Sequence, residues 1–578
     1  MVAYGLASPD LLDRYGARAA ELSAGMKPSQ FSVLLNSFAR AEHRHEQMLR
    51  SFTRRMPPRL PRFVPKDISQ VCHAYSKLRE RDEGLFRRFS AEMPHKLPLF
   101  EGHELSKVAN AYARLSMRDD LLFDDIADEI IRRPQELDAA ALVLAANAFG
   151  HFRISHPRLW LVLSEWLLHS CLDLEAKDVA VLLNAFGAVG FHHEALLRAL
   201  VHSLGEEPLL GEVEPGSLAL ALNALARLQW PGEAGSAGVE EPLRRLAERA
   251  ADTAGELGCI GAAQLLHACA QLRALRSDGR LLEGVLARAR GVVSEMNAQS
   301  LSMVVNACAK MRHRDVALLT QVAKAVTPHL KDFTPQALAV LAHGFAKLEV
   351  RSEILFYLLA GEMVDKMPLF SAQGLGMILR AYGRLQIHNE RLVQASRRQL
   401  RALAEELTLP ELQAIEAGLG ELGALDSSTE ALLRRHRGRL ALERAAGQAA
   451  PQAGAADPWA AAPGAEEERG LLARAAQEED DAQAVREVAW GPAVEGQQPA
   501  PREPPADAAS RPAEDAGREQ EERDEDPDLW SLWNVGAPGP RSGGVGAEGA
   551  AESPGMGADA GSATPPSRLR EYLARPAR

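Results

Sequence analysis

The chain has 578 residues, with 66 Lys and Arg against 78 Asp and Glu and a formal net charge of −12. No run of about eighteen apolar residues occurs, so no helix spans a membrane and no membrane partner is expected. Five cysteines, Cys72, Cys171, Cys259, Cys269 and Cys308, show no CxxC or metal-ligand spacing, which excludes a disulfide framework and a zinc module and fits a reducing compartment.

The net acidity argues against nucleic acid only until it is divided along the chain. Residues 441–578 hold 26 acids against 13 arginines and no lysine, which leaves 52 acids and 53 bases in the remainder. The N-terminal MVAYGLASPDLLDRYG has the profile of neither a signal peptide nor an Arg/Ser-rich transit peptide. VAYGLA at 2–7 instead matches the repeated core described next, 34 residues ahead of the following copy. It is followed by PDLLDRYGARAAEL, which reads as the second helix of a repeat. The chain is therefore expected to begin in mid-repeat, with any transit peptide and further repeats upstream.

From there one six-residue core recurs: NSFARA at 36, HAYSKL at 73, NAYARL at 110, NAFGHF at 147, NAFGAV at 184 and NALARL at 223. It continues as HACAQL at 267, NACAKM at 306, HGFAKL at 343, RAYGRL at 380 and AGLGEL at 417. The spacings are 37, 37, 37, 37, 39, 44, 39, 37, 37 and 37, and the longest coincides with the Gly-rich insertion PGEAGSAG at 231–238. Each unit reads as two helices. Around Asn110, Val108, Tyr112 and Leu115 share one side at helical spacing, while His103, Lys107, Asn110 and Arg114 share the other. A polar break, SMRDD, separates this helix from a second apolar-periodic run, LLFDDIADEII at 121–131, which ends near Arg132, Arg133 and Pro134. Asp138, Thr334 before Pro335, and Ser371 are expected N-caps of later first helices. Neither helix can bury its apolar face within one unit, so neighbours must stack. The expected fold is an all-α solenoid of about eleven 37-residue repeats over residues 1–440.

From 441 the composition shifts to Ala, Glu, Gly, Pro and Arg, with too few apolar residues for a core, so 441–578 is expected to be a disordered acidic tail. DPDLWSLWNV at 527–536, with Trp530 and Trp533, and SRLREYLARP at 567–576 are the two segments in it that could dock on a protein partner.

Searching for chemistry yields refusals. His313-Arg314-Asp315 spells the HRD of a kinase catalytic loop, but Thr320 stands where Asn is required and no Gly-rich loop or DFG exists. His192-His193-Glu194 has no second ligand cluster, so no metal is expected there. No phosphate loop, nucleophile elbow or zinc-protease motif occurs, and paired carboxylates abound only in the tail. The chain reads as a non-enzyme without a cofactor.

What remains is a recurring polar line. The first core position is Asn36, His73, Asn110, Asn147, Asn184, Asn223, His267, Asn306, His343 or Arg380. Four residues on stands Arg40, Lys77, Arg114, His151, Arg227, Lys310, Lys347 or Arg384, and the cation is missing at Val189 and Leu422 copies. Residues at i and i+4 share a helix face, so stacking draws a polar line beside a cationic line. Cations neutralise phosphates, and Asn or His can hydrogen-bond unstacked bases or 2′-hydroxyls of single-stranded RNA. The competing reading is structural, with Asn as an inter-repeat ladder and the cation set by the helix dipole. Tyr75, Phe149, Phe186 and Phe345 read as core, and Cys269 and Cys308 fill the same slot. Residues 1–100 hold 17 bases against 10 acids and 296–404 hold 14 against 7, so both ends are expected to grip RNA more strongly than the acidic centre.

A 37-residue helical hairpin with the cores NAYARL, NACAKM and HGFAKL resembles the heptatricopeptide repeat and its octotricopeptide kin. It is also similar to the repeats of FAST-kinase-like proteins and of the kinetoplastid RNA-editing substrate-binding complex. The resemblance covers roughly residues 2–425 and implies an organellar protein, mitochondrial or plastid, that binds RNA and acts in its processing, stability or ribosome assembly. It implies an RNA-facing set of Asn36, Arg40, His73, Lys77, Asn110, Arg114, Asn223, Arg227, Asn306, Lys310, His343, Lys347, Arg380 and Arg384. Many relatives end in a RAP domain, and nothing in 426–578 has its strand pattern, so cleavage is not expected. An armadillo- or HEAT-like protein scaffold and a non-catalytic subunit of an organellar ribosomal or processing complex are the alternatives.

Overall fold

A computed structural model describes residues 8–169, 174–230, 238–405 and 407–449. The described residues form helices and 3₁₀ turns without a strand. Residues 8–433 belong to one unit, and a second unit begins at Arg434, described only as far as the end of the helix Ser427–Ala449. The boundary expected at 440 falls inside that helix. VAYGLA at 2–7, nearly all of the 231–238 insertion, and the tail with Trp530 and Trp533 lie outside the described residues.

The solenoid is confirmed unit by unit. First helices run Pro28–Arg40, Pro65–Lys77, Gly102–Arg114, Ala139–His151, Ala176–Val189, Pro215–Leu228, Cys259–Gln271, Ala298–Met311, Pro335–Lys347, Ala372–Arg384 and Leu409–Glu421. Each carries one copy of the six-residue core at its C-terminal end. Second helices alternate with them, beginning with Pro9–Leu22, and Asp120–Arg132 is the one expected from the run at 121–131. First helices pack on first helices in unbroken succession, and behind them second helices meet at several steps, as Asp120–Arg132 with Pro157–His169 and Glu240–Thr253 with Gly279–Val292.

The close seam follows from the small residues at core positions two and four. A methyl group added at Gly150 would lie 2.8 Å from Ala185 Cα, and one at Gly418 would lie 2.5 Å from the carbonyl carbon of Leu379. Position three supplies bulk instead: Phe38, Tyr75, Tyr112, Phe149, Phe186, Leu225, Cys269, Cys308, Phe345, Tyr382 and Leu419 are all buried. The ring edges interlock, as Phe86 with Tyr112 at 4.9 Å and Phe356 with Tyr382 at 5.0 Å between centroids. The tyrosine hydroxyls stay satisfied inside the core, where Tyr112 donates to Phe86 O at 3.0 Å and Tyr382 to Phe356 O at 2.6 Å.

Helix ends obey local rules. Asp138, Thr334 and Ser371 cap their helices by accepting from Ala141, Ala337 and Gly374 N–H at 2.7, 3.2 and 3.2 Å. The exits share one conformation: the residue after the six-residue core is left-handed at Glu42, Arg79, Ser116, Arg153, Gln229, Arg312, Glu349 and Gln386. The next N–H then bonds back to the carbonyl of core position three, as Met117 to Tyr112 at 2.9 Å and Ile387 to Tyr382 at 3.0 Å. Only Gly190 and Gly423 announce this exit by residue type, so the recurring left-handed position was not legible in the sequence. The two 39-residue spacings also have a structural account, since short extra helices, Leu209–Glu212 and Arg273–Arg276, occupy those units.

Candidate nucleic-acid interface

Core position one lies at the seam between consecutive first helices. In the middle units it forms a ladder. Asn147 Nδ2 donates to Asn110 Oδ1 at 3.1 Å, and His267 Nδ1 stands 2.8 Å from Asn223 Oδ1. The Arg227 guanidinium reaches back to Asn184, donating to its carbonyl oxygen at 3.1 Å and also to its Oδ1. In each pair the later unit supplies the nitrogen and the earlier unit the amide oxygen. Asn147 Oδ1 and Asn184 Nδ2, on consecutive units, are buried without a partner and are complementary in kind. Asn110, Asn147, Asn184 and Asn223 are between 1% and 6% exposed.

Burial also sets the electrostatics of this ladder. Arg227 is lowered to about 10, first by burial and then by Arg153. His267 falls to about 4 through burial, with Lys310 and Arg227 adding to the effect, so it is the neutral imidazole that meets Asn223 at neutral pH.

The fourteen residues expected to face RNA therefore divide. Asn110 and Asn223 are buried, and Arg227 spends its guanidinium on Asn184, so these three serve the seam. Asn36, His73, Lys77, Arg114, Asn306 and His343 are half-buried. Arg40, Lys310, Lys347, Arg380 and Arg384 are exposed. Among the described residues neither Lys310 nor Lys347 has a carboxylate partner, and Lys310 is shifted down by burial, then by Lys347 and Arg276. Arg384 pairs with Glu349 at 2.9 Å on the open surface, where such a pair is worth little. His343 is also shifted down, first by burial and then by Lys347, Arg380 and Arg384. One imidazole thus senses three cations, which places them around one patch of the C-terminal first helices. Beside that patch lies an open cleft of about 400 Å³ between the helices Ala372–Arg384 and Leu409–Glu421, with His343 and Arg380 in its lining.

The sequence motifs set aside as accidental have structural employment. Asp315 of His-Arg-Asp caps the helix Val316–Val326, accepting from Leu318 N–H at 3.0 Å, and receives Arg290 Nε at 2.8 Å. His193 caps Glu194–Leu204, His192 Nε2 stands 2.8 Å from Leu228 O, and Glu194 accepts from Trp230 Nε1 at 2.6 Å. Cys269 and Cys308 are buried, and burial raises each thiol to about 12, where no thiolate forms.

One functional set was missed. Cations at the ends of second helices reach back to carbonyls of the preceding unit: Lys96 to Leu60 O at 2.8 Å, Arg133 to Phe100 O at 3.1 Å and Lys366 to Phe333 O at 2.7 Å. Each also pairs with an acid four residues earlier, Glu92, Glu129 and Glu362, at 2.9, 2.8 and 2.7 Å. The 37-residue spacing of Arg59, Lys96 and Arg133 was the available signal. These cations cement the stack and do not add to the exposed line.

No curated protein matches the sequence. Among solved structures, a chain of a "Homology model of the full-length AP-3 complex in an intermediate open conformation" is 10% identical and aligns over 76% of this chain and 84% of its own. Its TM-score is 0.28, too low to carry an argument about fold or function. The sequence matches the family described as RNA-editing substrate-binding complex 6 protein over residues 59–232 and 236–409, which is more than half of its length and nine of its repeat cores. The chain belongs to the RNA-editing substrate-binding complex 6 protein family.

Proposed function

We propose that this chain is a non-catalytic, RNA-binding subunit of an RNA-editing or RNA-processing assembly, working in the mitochondrion, with a plastid the alternative that the repeat resemblance also allows. The observation that carries the reading is the exposed cationic patch of Lys310, Lys347, Arg380 and Arg384 on consecutive first helices, in a chain whose family is described by an RNA-editing substrate-binding complex. Arg40 offers a second exposed cation near the other end. Cations repeated along stacked helices suit a phosphate backbone, because each contact releases condensed counterions. The ligand fitting this arrangement is single-stranded RNA, whose bases are accessible as well as its phosphates. The features that support the reading are cations and polar side chains along stacked helices, which suit holding RNA, and the proposed role is to hold it and not to cut it.

The test is binding of the full chain to a random single-stranded RNA pool across a salt series, beside a variant with Arg40, Lys310, Lys347, Arg380 and Arg384 changed to Ala. Parent binding that weakens with salt, and a variant that loses affinity and salt slope together while keeping its helicity, is the expected result. A parent that binds no RNA at any salt overturns the reading in favour of a protein scaffold.

A further inference from the structure

We propose that the cleft between Ala372–Arg384 and Leu409–Glu421 receives one unstacked base of a single-stranded RNA whose flanking phosphates lie on Lys347, Arg380 and Arg384. This deepens the RNA-binding reading and rests on it.

The cleft has a sequence cause. Three residues before the core, the other units carry Val33, Gln70, Lys107, Leu144, Val181, Leu220, Gln264, Met303, Val340 and Met377, whereas the last carries Ala414. One position earlier, units before it carry Ser, Ala or Val, and the unit before the last carries Gly376. A methyl group at Gly376 would sit 3.1 Å from Ala414 Cβ, so these two small residues face each other across the seam. With both residues small, an opening of about 400 Å³ is left at this seam. That volume is at the small end of the roughly 300–1,000 Å³ typical of ligand clefts, the scale of a nucleotide and not of a bulky cofactor.

The lining suits a base. Gly376, Met377, Pro410 and Ala414 make an apolar floor. His343, kept uncharged by burial and its cationic neighbours, offers both a donor and an acceptor nitrogen to a base edge. Glu411 is held in place, accepting from Thr408 N–H at 2.9 Å and Thr408 Oγ1 at 2.7 Å. Its fixed carboxylate disfavours a phosphate inside the cleft and accepts from an exocyclic amine. Arg380 spans the two environments, because it lines the cleft and belongs to the cationic patch. Gln373, Met377, Arg380 and Arg384 recur at helical spacing on one face of their helix, so base cleft and phosphate contacts share one track.

The experiment compares the full chain with Ala414→Met and Ala414→Ser, using a fluorescent single-stranded RNA and a fully abasic ribose-phosphate strand of the same length. Met at this position is what two other units carry, so it fills the cleft without a new demand on the fold, and Ser leaves it open. The expected result is that the parent and Ala414→Ser prefer the base-bearing strand by roughly tenfold. Ala414→Met then loses that preference with an unchanged salt slope. If the parent binds RNA but Ala414→Met keeps the full preference, the cleft is not a base site and the phosphate track stands alone. If the parent binds neither strand, the RNA reading itself has failed.

Discussion

The middle of the solenoid and its C-terminal stretch carry the same written pattern and put it to different uses. Around Asn110, Asn147, Asn184 and Asn223 the polar line is sealed into the seam, each amide spent on a neighbouring unit or orphaned there. Around Lys310, Lys347, Arg380 and Arg384 the adjacent line is open to solvent and crowded with like charge. The difference is made by the partner, not by the residue type. Arg227 has the same core position as Lys310 and Arg384, yet it folds back on Asn184 of the preceding unit, whose own residue at that position is the uncharged Ala188. A repeated cation is therefore evidence of a binding face only where the seam beneath it is already satisfied.

The strongest way to break this comparison is to attack the seam. Asn184→Ala removes the side-chain oxygen that receives the buried Arg227 guanidinium, and should cost about 3 kcal/mol, read as a fall in thermal midpoint or as faster amide exchange in the flanking first helices. Arg384→Ala, which breaks an exposed pair, should cost less than about 0.5 kcal/mol by the same measurement. Equal losses would mean that the two regions are not physically distinct.

Binding gives the mirror-image contrast. Changing Lys310, Lys347 and Arg384 together to Ala should reduce the log–log salt slope for single-stranded RNA by about 2. Arg227→Ala, although it removes the same kind of charge, should leave the slope unchanged. A slope that tracks Arg227 would place the RNA on the middle units.

Acid should loosen the seam before it loosens the outer helices. Folded His267 titrates near 4 and unfolded His near 6.5, so between those values the unfolded chain holds the extra proton and stability falls as pH falls. The full effect, about 2 kcal/mol after allowance for screening, should be present near pH 4 and absent above 6.5. His267→Asn, the residue that six other units use, should flatten that part of the stability profile measured by denaturant titration. The smallest effect concerns helix exits. Ser116→Gly should relieve a left-handed residue at φ 51° and raise stability by about 0.5 kcal/mol, the gain being partly offset by the freer unfolded chain.

The repeat, its helix pair, its caps and its core were legible because they depend on local, periodic rules. Asp138, Thr334 and Ser371 cap where their residue types predict, and Tyr75, Phe149, Phe186 and Phe345 are buried as their spacing to other apolar positions requires. The candidate interface was legible only in outline. Spacing placed Asn110 and Arg114 on one face of a helix, but it could not tell whether that face meets water or the next helix.

The sequence by itself determined the solenoid, the approximate place of each helix and the concentration of cations toward the two ends, since periodicity, capping chemistry and charge are properties of residues in order. Tertiary structure decided which Asn became ladder rungs, that Arg227 turned inward, that Lys96, Arg133 and Lys366 clamp the stack, and that Gly376 and Ala414 leave a cleft. Each of these depends on what stands about 37 residues away across a seam, a distance that residue type does not encode and stacking does.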